Sequence, residues 1–318
     1  MNGNFVISLD FELIWGVFDK VKLEEKVEYF ENTRTIIPKI LKLFTDNEIS
    51  CTWATVGMLF NQDWQEWHSN IPAVRPEYTN KLLSAYNYVS NLDLDSNKYD
   101  HIFFAPDLIE TIRDSEFQEI GTHSYSHYYC LEGGQDLNSF EADLSKCIEL
   151  ASKFGISMES IVFPRNQFNK SYIEVCHNFG IMNLRSNPDV WYWEDTNQSS
   201  IQKKILRTAD AYTGFQDKSY FLEQDYLNYE QKASRFLRPV SSFTWLNRLR
   251  LRRIKHEMLH AAIHKKTYHL WWHPHNFGAS PSQSMLDLKE IIEFFNYCRK
   301  SYKMNSCSMK MISHLKTV

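Results

Sequence analysis

Short apolar segments alternate with helical segments along this 318-residue chain. The apolar segments, which predict strands, lie at residues 4–9, 49–60, 117–127, 160–166, 181–186 and 267–278, with a last one near 306–312. Helical spacing of apolar residues marks 22–47 with a break near Pro38, about 139–155, 170–179, 242–266, and a long helix that begins near Ser284. Strands that alternate with helices predict an α/β fold with a parallel sheet and crossover helices.

One segment interrupts this alternation. Residues 61–100 are polar and contain clusters of Asn, Asp and Ser, so we expect an irregular insertion over about 61–110. No repeat and no low-complexity linker divides the sequence, which favours one domain over residues 1–318. With 43% hydrophobic residues the chain can bury a large core, and a net charge of −4 is too small to indicate a nucleic-acid partner.

The cysteines and the N-terminal residues bear on the cellular compartment. The six cysteines form no CxxC pair and no dense framework, which favours a reduced, cytoplasmic protein. The N-terminus runs directly into "NFVISLDFE" without the basic and apolar regions of a secretory signal. No stretch is long and apolar enough to span a bilayer.

Two carboxylates interrupt the apolar run "VISLDFELIWG" at residues 6–16. Asp10 and Glu12 are two residues apart, so on a strand they project from the same face. Carboxylates held together repel each other unless a cation or a shared proton lies between them. An exposed edge strand is the alternative, but the apolar neighbours of both residues argue against it. A metal ion is the simplest partner.

Two histidines at another strand end could bind the same ion. His123 and His127 are four residues apart in "THSYSH", a separation that lets both imidazoles reach one metal. A zincin needs Glu directly after the first histidine, where this chain has Ser124. Active sites of barrels with parallel strands collect at the carboxyl ends of the strands, which favours a shared site.

Three further segments supply polar or aromatic side chains at strand ends. Arg165 in "VFPRNQ" could hydrogen-bond a carboxylate, although a lone arginine more often forms a surface ion pair. His273 and His275 in "WWHPHNFG" are candidates for a general acid or a substrate contact. Candidate substrate contacts also include Trp191, for which core packing is equally plausible, together with Trp272 and Asn166.

The segments "SLDFE", "TWATVG", "EIGTHSYSH", "FPRNQ" and "HLWWHPH" occur in this order between Val6 and Gly278. Together they resemble the polysaccharide deacetylase (NodB-homology) superfamily, carbohydrate esterase family 4. The resemblance implies a distorted (β/α)7 barrel. It also implies an enzyme that removes N- or O-acetyl groups with a divalent metal, usually zinc, bound by one carboxylate and two histidines.

The resemblance also implies the role of each residue. Asp10 matches the general base, and Arg165 matches the arginine that orients this base. The three metal ligands match Glu12, His123 and His127. His273 matches the general acid. His275 is the alternative acid, and we expect Pro274 to turn the chain so that the two rings diverge. The family usually has adjacent aspartates. The D-x-E form seen here is similar to the branch that includes allantoinase-like proteins and some peptidoglycan deacetylases.

The resemblance leaves three functions to compare. The first is a deacetylase acting on a sugar, glycan or lipid- or nucleotide-linked sugar precursor, as expected of a cytoplasmic member in surface-polysaccharide assembly. The second is an allantoinase-like cyclic amide or imide hydrolase, and the third is an inactive glycan-binding barrel. The basic segment 246–266 suggests contact with phosphate or an anionic membrane, although a solvated helix face is the more common use of such a segment.

Overall fold

The protein forms a parallel sheet surrounded by helices. A computed structural model describes residues 2–92, 98–193, 201–214, 217–222 and 229–316. Nine strands lie within these residues: β1 (Asn4–Phe11), β2 (Cys51–Thr55), β3 (Gln118–Thr122), β4 (Ser160–Val162), β5 (Asn183–Ser186), β6 (Tyr229–Lys232), β7 (Arg235–Phe236), β8 (Thr267–Trp272) and β9 (Asn305–Cys307). All of their ladders are parallel.

Helices occupy most of the connections between the strands. Those in the described residues are α1 (Val27–Asp46), α2 (Trp64–Ser69), α3 (Ala85–Val89), α4 (Asp100–Phe103), α5 (Pro106–Arg113), α6 (Leu137–Lys153), α7 (Lys170–Asn178), α8 (Ile201–Thr213), α9 (Thr244–Ile263), α10 (Pro281–Tyr302) and α11 (Met309–Lys316). Several loops at the carboxyl ends of strands also contain a short 3-10 turn, including residues 13–16, 164–166 and 274–277. No helix among the described residues is long and apolar enough to cross a membrane.

A bent segment closes the sheet into a barrel. The strand order is β6-β5-β4-β3-β2-β1-β8-β7, so β6 and β7 lie at its two ends. Only Ala233 and Ser234 separate these two strands. The Ala233 amide donates to the carbonyl of Ser186, the last residue of β5, and the Ser234 amide donates to the His269 carbonyl in β8. Residues 229–236 therefore act as one bent strand, and the barrel has the seven parallel strands that the resemblance implies.

The interior of the barrel begins with β1. Every residue of this strand is buried, because it pairs with β2 and β8 while helices cover its outer face. Its N-terminal half also pairs with β9 from the other end of the chain. Helix α1 runs without the predicted break. Pro38 lies on its exposed face, while Phe30, Ile37 and Phe44 are buried.

The insertion between β2 and β3 is present but is not irregular throughout. It contains α2, α3 and α4, and Trp64 and Trp67 of α2 pack into the main core. Residues 106–113 form α5, with Leu108, Ile109 and Ile112 buried against the barrel. This segment is therefore a crossover helix and not part of the insertion.

Two predicted boundaries differ from the observed ones near helix ends. Helix α6 begins at Leu137, two residues before the predicted start, and is capped by Asp136, whose carboxylate accepts a hydrogen bond from the Ser139 amide at 2.7 Å. The predicted last strand, 306–312, divides into β9 and the first residues of α11, and the break falls at Ser308. Neither difference moves a strand whose carboxyl end carries a candidate site residue.

Candidate active site

A cavity of about 390 Å³ opens at the carboxyl ends of the barrel strands. Its walls contain eight of the ten residues singled out from the sequence, together with eight that were not. The residues that line it include Asp10, Glu12, Lys20, His123, His127, Arg165, Asn166, Arg185, Phe236, Pro239, Trp271, His273, His275 and Asn276. The parallel strands therefore bring these distant segments to one edge of the barrel, as expected for this architecture.

Asp10 forms a buried ion pair with Arg185. The guanidinium donates two hydrogen bonds, from Nη1 to Oδ1 at 2.7 Å and from Nη2 to Oδ2 at 2.8 Å. Trp271 covers the guanidinium, with its ring centroid 4.1 Å from Cζ. Burial alone would raise the pKa of Asp10, but the charge and hydrogen bonds of Arg185 outweigh it, so the pKa lies below its ordinary value.

Glu12 lies just beyond β1, where the strand passes into the 3-10 turn at residues 13–16. Its Oε2 lies 3.3 Å from Nε2 of His123 and 3.2 Å from Nε2 of His127. A side chain at Gly16 would occupy the position of this carboxylate, so the glycine makes room for it. Burial disfavours the ionised form, but the surrounding imidazoles hold the pKa of Glu12 well below its ordinary value.

Hydrogen bonds behind the two imidazoles direct their Nε2 atoms toward Glu12. Nδ1 of His123 lies 2.7 Å from the carbonyl of Val162, which can only accept, so a neutral His123 carries its proton on Nδ1. Nδ1 of His127 lies 3.1 Å from the Tyr129 hydroxyl. Burial lowers the pKa of His127 to about 4. At neutral pH the His127 imidazole is therefore uncharged and can offer a lone pair.

A buried carboxylate fixes the loop between these histidines. Asp143 of α6 accepts hydrogen bonds from the amides of Tyr125, at 2.6 Å, and Ser126, at 3.0 Å, and from the Ser126 hydroxyl. Burial raises the pKa of Asp143 to about 6 despite these hydrogen bonds. His127 has a positive φ of 56°, a conformation that such hydrogen bonds can hold in place. The loop thus depends on a residue of the following helix.

The second oxygen of Glu12 faces the two late histidines. Oε1 lies 3.6 Å from Nε2 of His273 and 3.7 Å from Nδ1 of His275. The rings do not diverge as predicted at Pro274. They stack with an interplanar angle of 13° and a centroid separation of 5.0 Å, because the chain continues as a 3-10 turn. His273 is one-quarter exposed to the cavity, whereas His275 is buried and burial lowers its pKa to about 3.

Arg165 does not contact Asp10, which corrects the role expected for it. Its guanidinium pairs instead with Asp19 at 2.5 Å and lies over the ring of Tyr129, 4.2 Å from its centroid. The reason is local: Arg165 sits in a turn with φ 54° after β4, and this turn directs the side chain along the wall of the cavity. Arg185, in the next strand, makes the contact that was expected of Arg165.

Two of the three expected substrate contacts lie elsewhere. Trp272 is fully buried and stacks on Phe277, because alternation along β8 sends it outward to the helices and sends Trp271 into the barrel. Trp191 is 54% exposed and does not line the cavity. Asn166 does line the cavity, where its amide donates to Asn187.

The sequence contained a signal for Arg185 that was not used. Its strand, "NLRS", places one charged residue in a buried segment, as β1 does with Asp10. An isolated arginine in one predicted strand and an isolated aspartate in another suggest a pair across the barrel, because buried charges are rarely unpaired. Trp271 could be found only once the alternation of β8 was known.

The residues around Glu12 are suited to a metal ion. Glu12, His123 and His127 each offer one ligand atom, and these atoms lie within 4.8 Å of one another. A carboxylate and two imidazole lone pairs cannot satisfy one another without a proton or a cation. One carboxylate and two imidazoles form the protein donor set of many catalytic zinc sites, which leave a further coordination position for water or substrate.

A parallel barrel with this cluster at the carboxyl ends of its strands defines an enzyme active site. A family model described as polysaccharide deacetylase matches residues 11–184, or 174 of 318 residues, and the chain belongs to that family. Enzymes of this family are hydrolases that act on carbon–nitrogen bonds other than peptide bonds. No curated protein matches the chain.

Solved structures show the same fold at low sequence identity. One is a protein from Mycobacterium smegmatis assigned as a polysaccharide deacetylase, with 14% identity and a TM-score of 0.62, covering 100% of this chain and 91% of that one. A Pseudomonas aeruginosa protein with the same assignment has 11% identity and a TM-score of 0.57, covering 98% and 89%. Puue allantoinase has 11% identity and a TM-score of 0.53, covering 98% and 88%.

We predict that Arg185→Ala destabilises the protein by about 3–5 kcal/mol, because it leaves the Asp10 carboxylate buried and unpaired. Arg165→Ala, the matched control, removes a partly exposed guanidinium and should cost about 1 kcal/mol. The free energy of unfolding in urea measures both effects. Equal losses for the two variants would contradict the assignment of Arg185 as the partner of Asp10.

Proposed function

We propose that this protein is a metal-dependent deacetylase that hydrolyses an acetamide, or an acetyl ester, on a sugar or glycan precursor. The observation that carries the proposal is the different environment of its two carboxylates. Asp10 is neutralised by Arg185, whereas Glu12 faces imidazole lone pairs. One carboxylate is thus suited to proton transfer and the other to binding a cation.

The metal would be held by Glu12, His123 and His127, and we infer zinc from this donor set. Bound zinc polarises a carbonyl and lowers the pKa of a coordinated water to about 7. The carbonyl of Val162 and the hydroxyl of Tyr129 would hold the two imidazoles in the orientation that metal binding needs.

Asp10 would act as the general base. Its lowered pKa keeps it ionised at neutral pH, and the two hydrogen bonds from Arg185 fix the plane of the carboxylate. Each carboxylate oxygen retains a lone pair that can accept a proton from the attacking water.

His273 would protonate the leaving amine. It lines the cavity and is partly exposed, and its Nε2 lies 3.6 Å from Asp10 Oδ2. The Asn276 amide lies 3.3 Å from Nδ1 of His273 and orients the ring. The buried His275 packs against the inner face of the His273 ring, so we assign it an auxiliary role.

A cyclic amide or imide hydrolase is the second candidate, supported by the fold similarity to an allantoinase. The same base, metal ligands and acid suit water attack on a ring amide. The two functions differ in product: a deacetylase releases acetate, and a cyclic amidase opens a ring without releasing a fragment.

The surface beside the cavity supports a membrane-associated substrate. Phe236 and Pro239 line the cavity, and Phe243 follows Pro239 by four residues, a reach of at most about 14 Å. Phe243 and Trp245, at the start of α9, are each 61% exposed. We infer that this rim lies close to the entrance of the active site.

The exposed face of α9 combines aromatic and cationic side chains. Trp245, Arg248, Leu249 and Arg252 recur at helical spacing and are all exposed. The one acidic residue in the sequence of this helix, Glu257, is buried against Arg235. Exposed tryptophan beside arginine suits the interface of an anionic membrane, and we propose that this face contacts one.

We predict that His127→Ala abolishes metal loading, because it removes one of three ligands. Asp10→Asn should keep the metal and lose turnover, because an amide cannot accept the proton. The metal content of the purified protein measures the first effect. Acetate release from acetylated sugars, including lipid- and nucleotide-linked ones, measures the second. Ring opening of a cyclic amide is assayed in parallel. Equal loss of metal in both variants would show that the roles of base and ligand are wrongly assigned.

We predict that His273→Ala lowers turnover by roughly two to four orders of magnitude while the metal site of Glu12, His123 and His127 stays filled. His275→Ala should cost less, because His275 is buried behind the His273 ring. Steady-state kinetics at one equivalent of zinc make the comparison. A larger loss for His275→Ala would reverse the assignment of acid and auxiliary.

We predict that the full chain binds vesicles containing phosphatidylglycerol and that Trp245→Ala and the double variant Arg248→Glu/Arg252→Glu weaken this binding. Co-sedimentation at low and high salt measures it, since the electrostatic part is screened by salt. Leu82→Ala, at a residue 69% exposed, is the matched control and should bind like the wild type. The proposal would be wrong if the wild type did not bind vesicles but formed a dimer that Trp245→Ala disrupts. The exposed face of α9 would then be a contact between two copies of this chain.

A further inference from the structure

Glu12 lies between two pairs of imidazoles, one pair for each carboxylate oxygen. Oε2 faces His123 and His127, and Oε1 faces His273 and His275. The ligand atoms of Glu12, His273 and His275 also lie within 4.8 Å of one another. The mechanism proposed above uses one oxygen of this carboxylate for the metal and leaves the other without an assigned partner.

His275 supplies an independent indication of a ligand on this side. It is buried, and its Nδ1 has no hydrogen-bond partner among the described residues. This atom points to Glu12 Oε1 at 3.7 Å, too far for a hydrogen bond. A buried, unpartnered nitrogen beside a carboxylate is costly unless something binds both.

The distances around the two Glu12 oxygens indicate which of them would bind a cation more tightly. Ligand atoms about 2.0–2.1 Å from a tetrahedral zinc lie about 3.3 Å from one another. The separations of 3.3 and 3.2 Å on the Oε2 side match this value. Those of 3.6 and 3.7 Å on the Oε1 side are wider, so an ion there would be bound more weakly.

We propose that Glu12 bridges two divalent cations and that the second, held by Glu12 Oε1, His273 and His275, inhibits the enzyme. The inhibition rests on the proposed function, because it follows from the role of His273 as proton donor. An imidazole whose Nε2 binds a cation cannot carry the proton that the leaving amine needs. The first ion would therefore activate the enzyme, and the second would remove its acid.

The surrounding residues allow this second position. Both oxygens of Asp10 accept hydrogen bonds from Arg185, so Asp10 remains available as the base and Glu12 is the carboxylate shared by the ions. Asn276 can serve either state of His273, because an amide that is turned over accepts from Nδ1–H instead of donating to Nδ1. The change from acid to ligand thus requires release of the Nε2 proton to solvent and rotation of the Asn276 amide.

Zinc stoichiometry tests the proposal directly. Equilibrium dialysis of the full chain, followed by elemental analysis, should give two ions for the wild type, with the second bound more weakly. His275→Gln and, in case that buried change prevents folding, His273→Gln at the cavity wall should each bind one. The control His260→Ala/His264→Ala removes a histidine pair at the end of α9, with ring centroids 4.0 Å apart, and should still bind two.

A wild type that saturates at one ion would overturn the proposal. The proposal would also be wrong if His275→Gln and His273→Gln both still bound two ions. The same holds if only the control His260→Ala/His264→Ala lost an ion. Circular dichroism confirms that each variant is folded before its ions are counted.

Activity provides the second measurement. Acetate release by the wild type should peak near one equivalent of zinc and fall as the weaker position fills. The activity of His275→Gln should also fall below its maximum at high zinc, but at a zinc concentration about tenfold higher than for the wild type. Turnover that rises with the second ion would overturn the inhibitory role. If no acetate is released at any zinc content, that role fails together with the proposed function, while the stoichiometry still decides whether the second position exists.

Discussion

The active site is organised around the buried carboxylate of Glu12. An ionised group in a protein interior needs compensation. Four imidazoles from two distant parts of the chain surround this carboxylate, and they can compensate its charge only through a proton or a shared cation. Two of them follow β3 and two follow β8, so the parallel arrangement of the barrel is what brings them together. Gly16 is part of the same arrangement, because a side chain there would displace the carboxylate. The local turns after β1, β3 and β8 all serve this one position.

The spacing of Asp10 and Glu12 gives the two carboxylates separate environments. Phe11 lies between them and points the opposite way, packing edge-on against Trp53. Asp10 is still part of β1 and faces Arg185 inside the barrel, whereas Glu12 has left the strand and faces the histidines. One carboxylate is therefore neutralised by the protein itself, and the other is left for a cation.

The sequence was sufficient for the barrel and for the residues that lie directly at strand ends. Asp10, Glu12, His123 and His127 could be brought together because parallel strands share one carboxyl edge. The partner of Asp10 was misassigned, because Arg165, just after β4, and Arg185, within β5, lie on neighbouring strands, and the φ of 54° at Arg165 turns its side chain away. Trp271 and Trp272 are adjacent in the sequence, and the register of β8 decides which of them faces the cavity. Turn conformation and strand register depend on packing that periodicity does not contain.

The cavity and its rim constrain how a substrate can approach. At about 390 Å³ the cavity is near the lower end of the range for small-molecule sites, so it suits one sugar unit better than a long chain. Phe236 and Trp271 form one wall with their rings 4.6 Å apart, and the chain continues from there through Pro239 to Phe243 and Trp245. A substrate whose sugar enters the cavity would therefore have its remaining part directed along an aromatic and cationic surface. That surface is the observation from which we propose a substrate carried by a lipid.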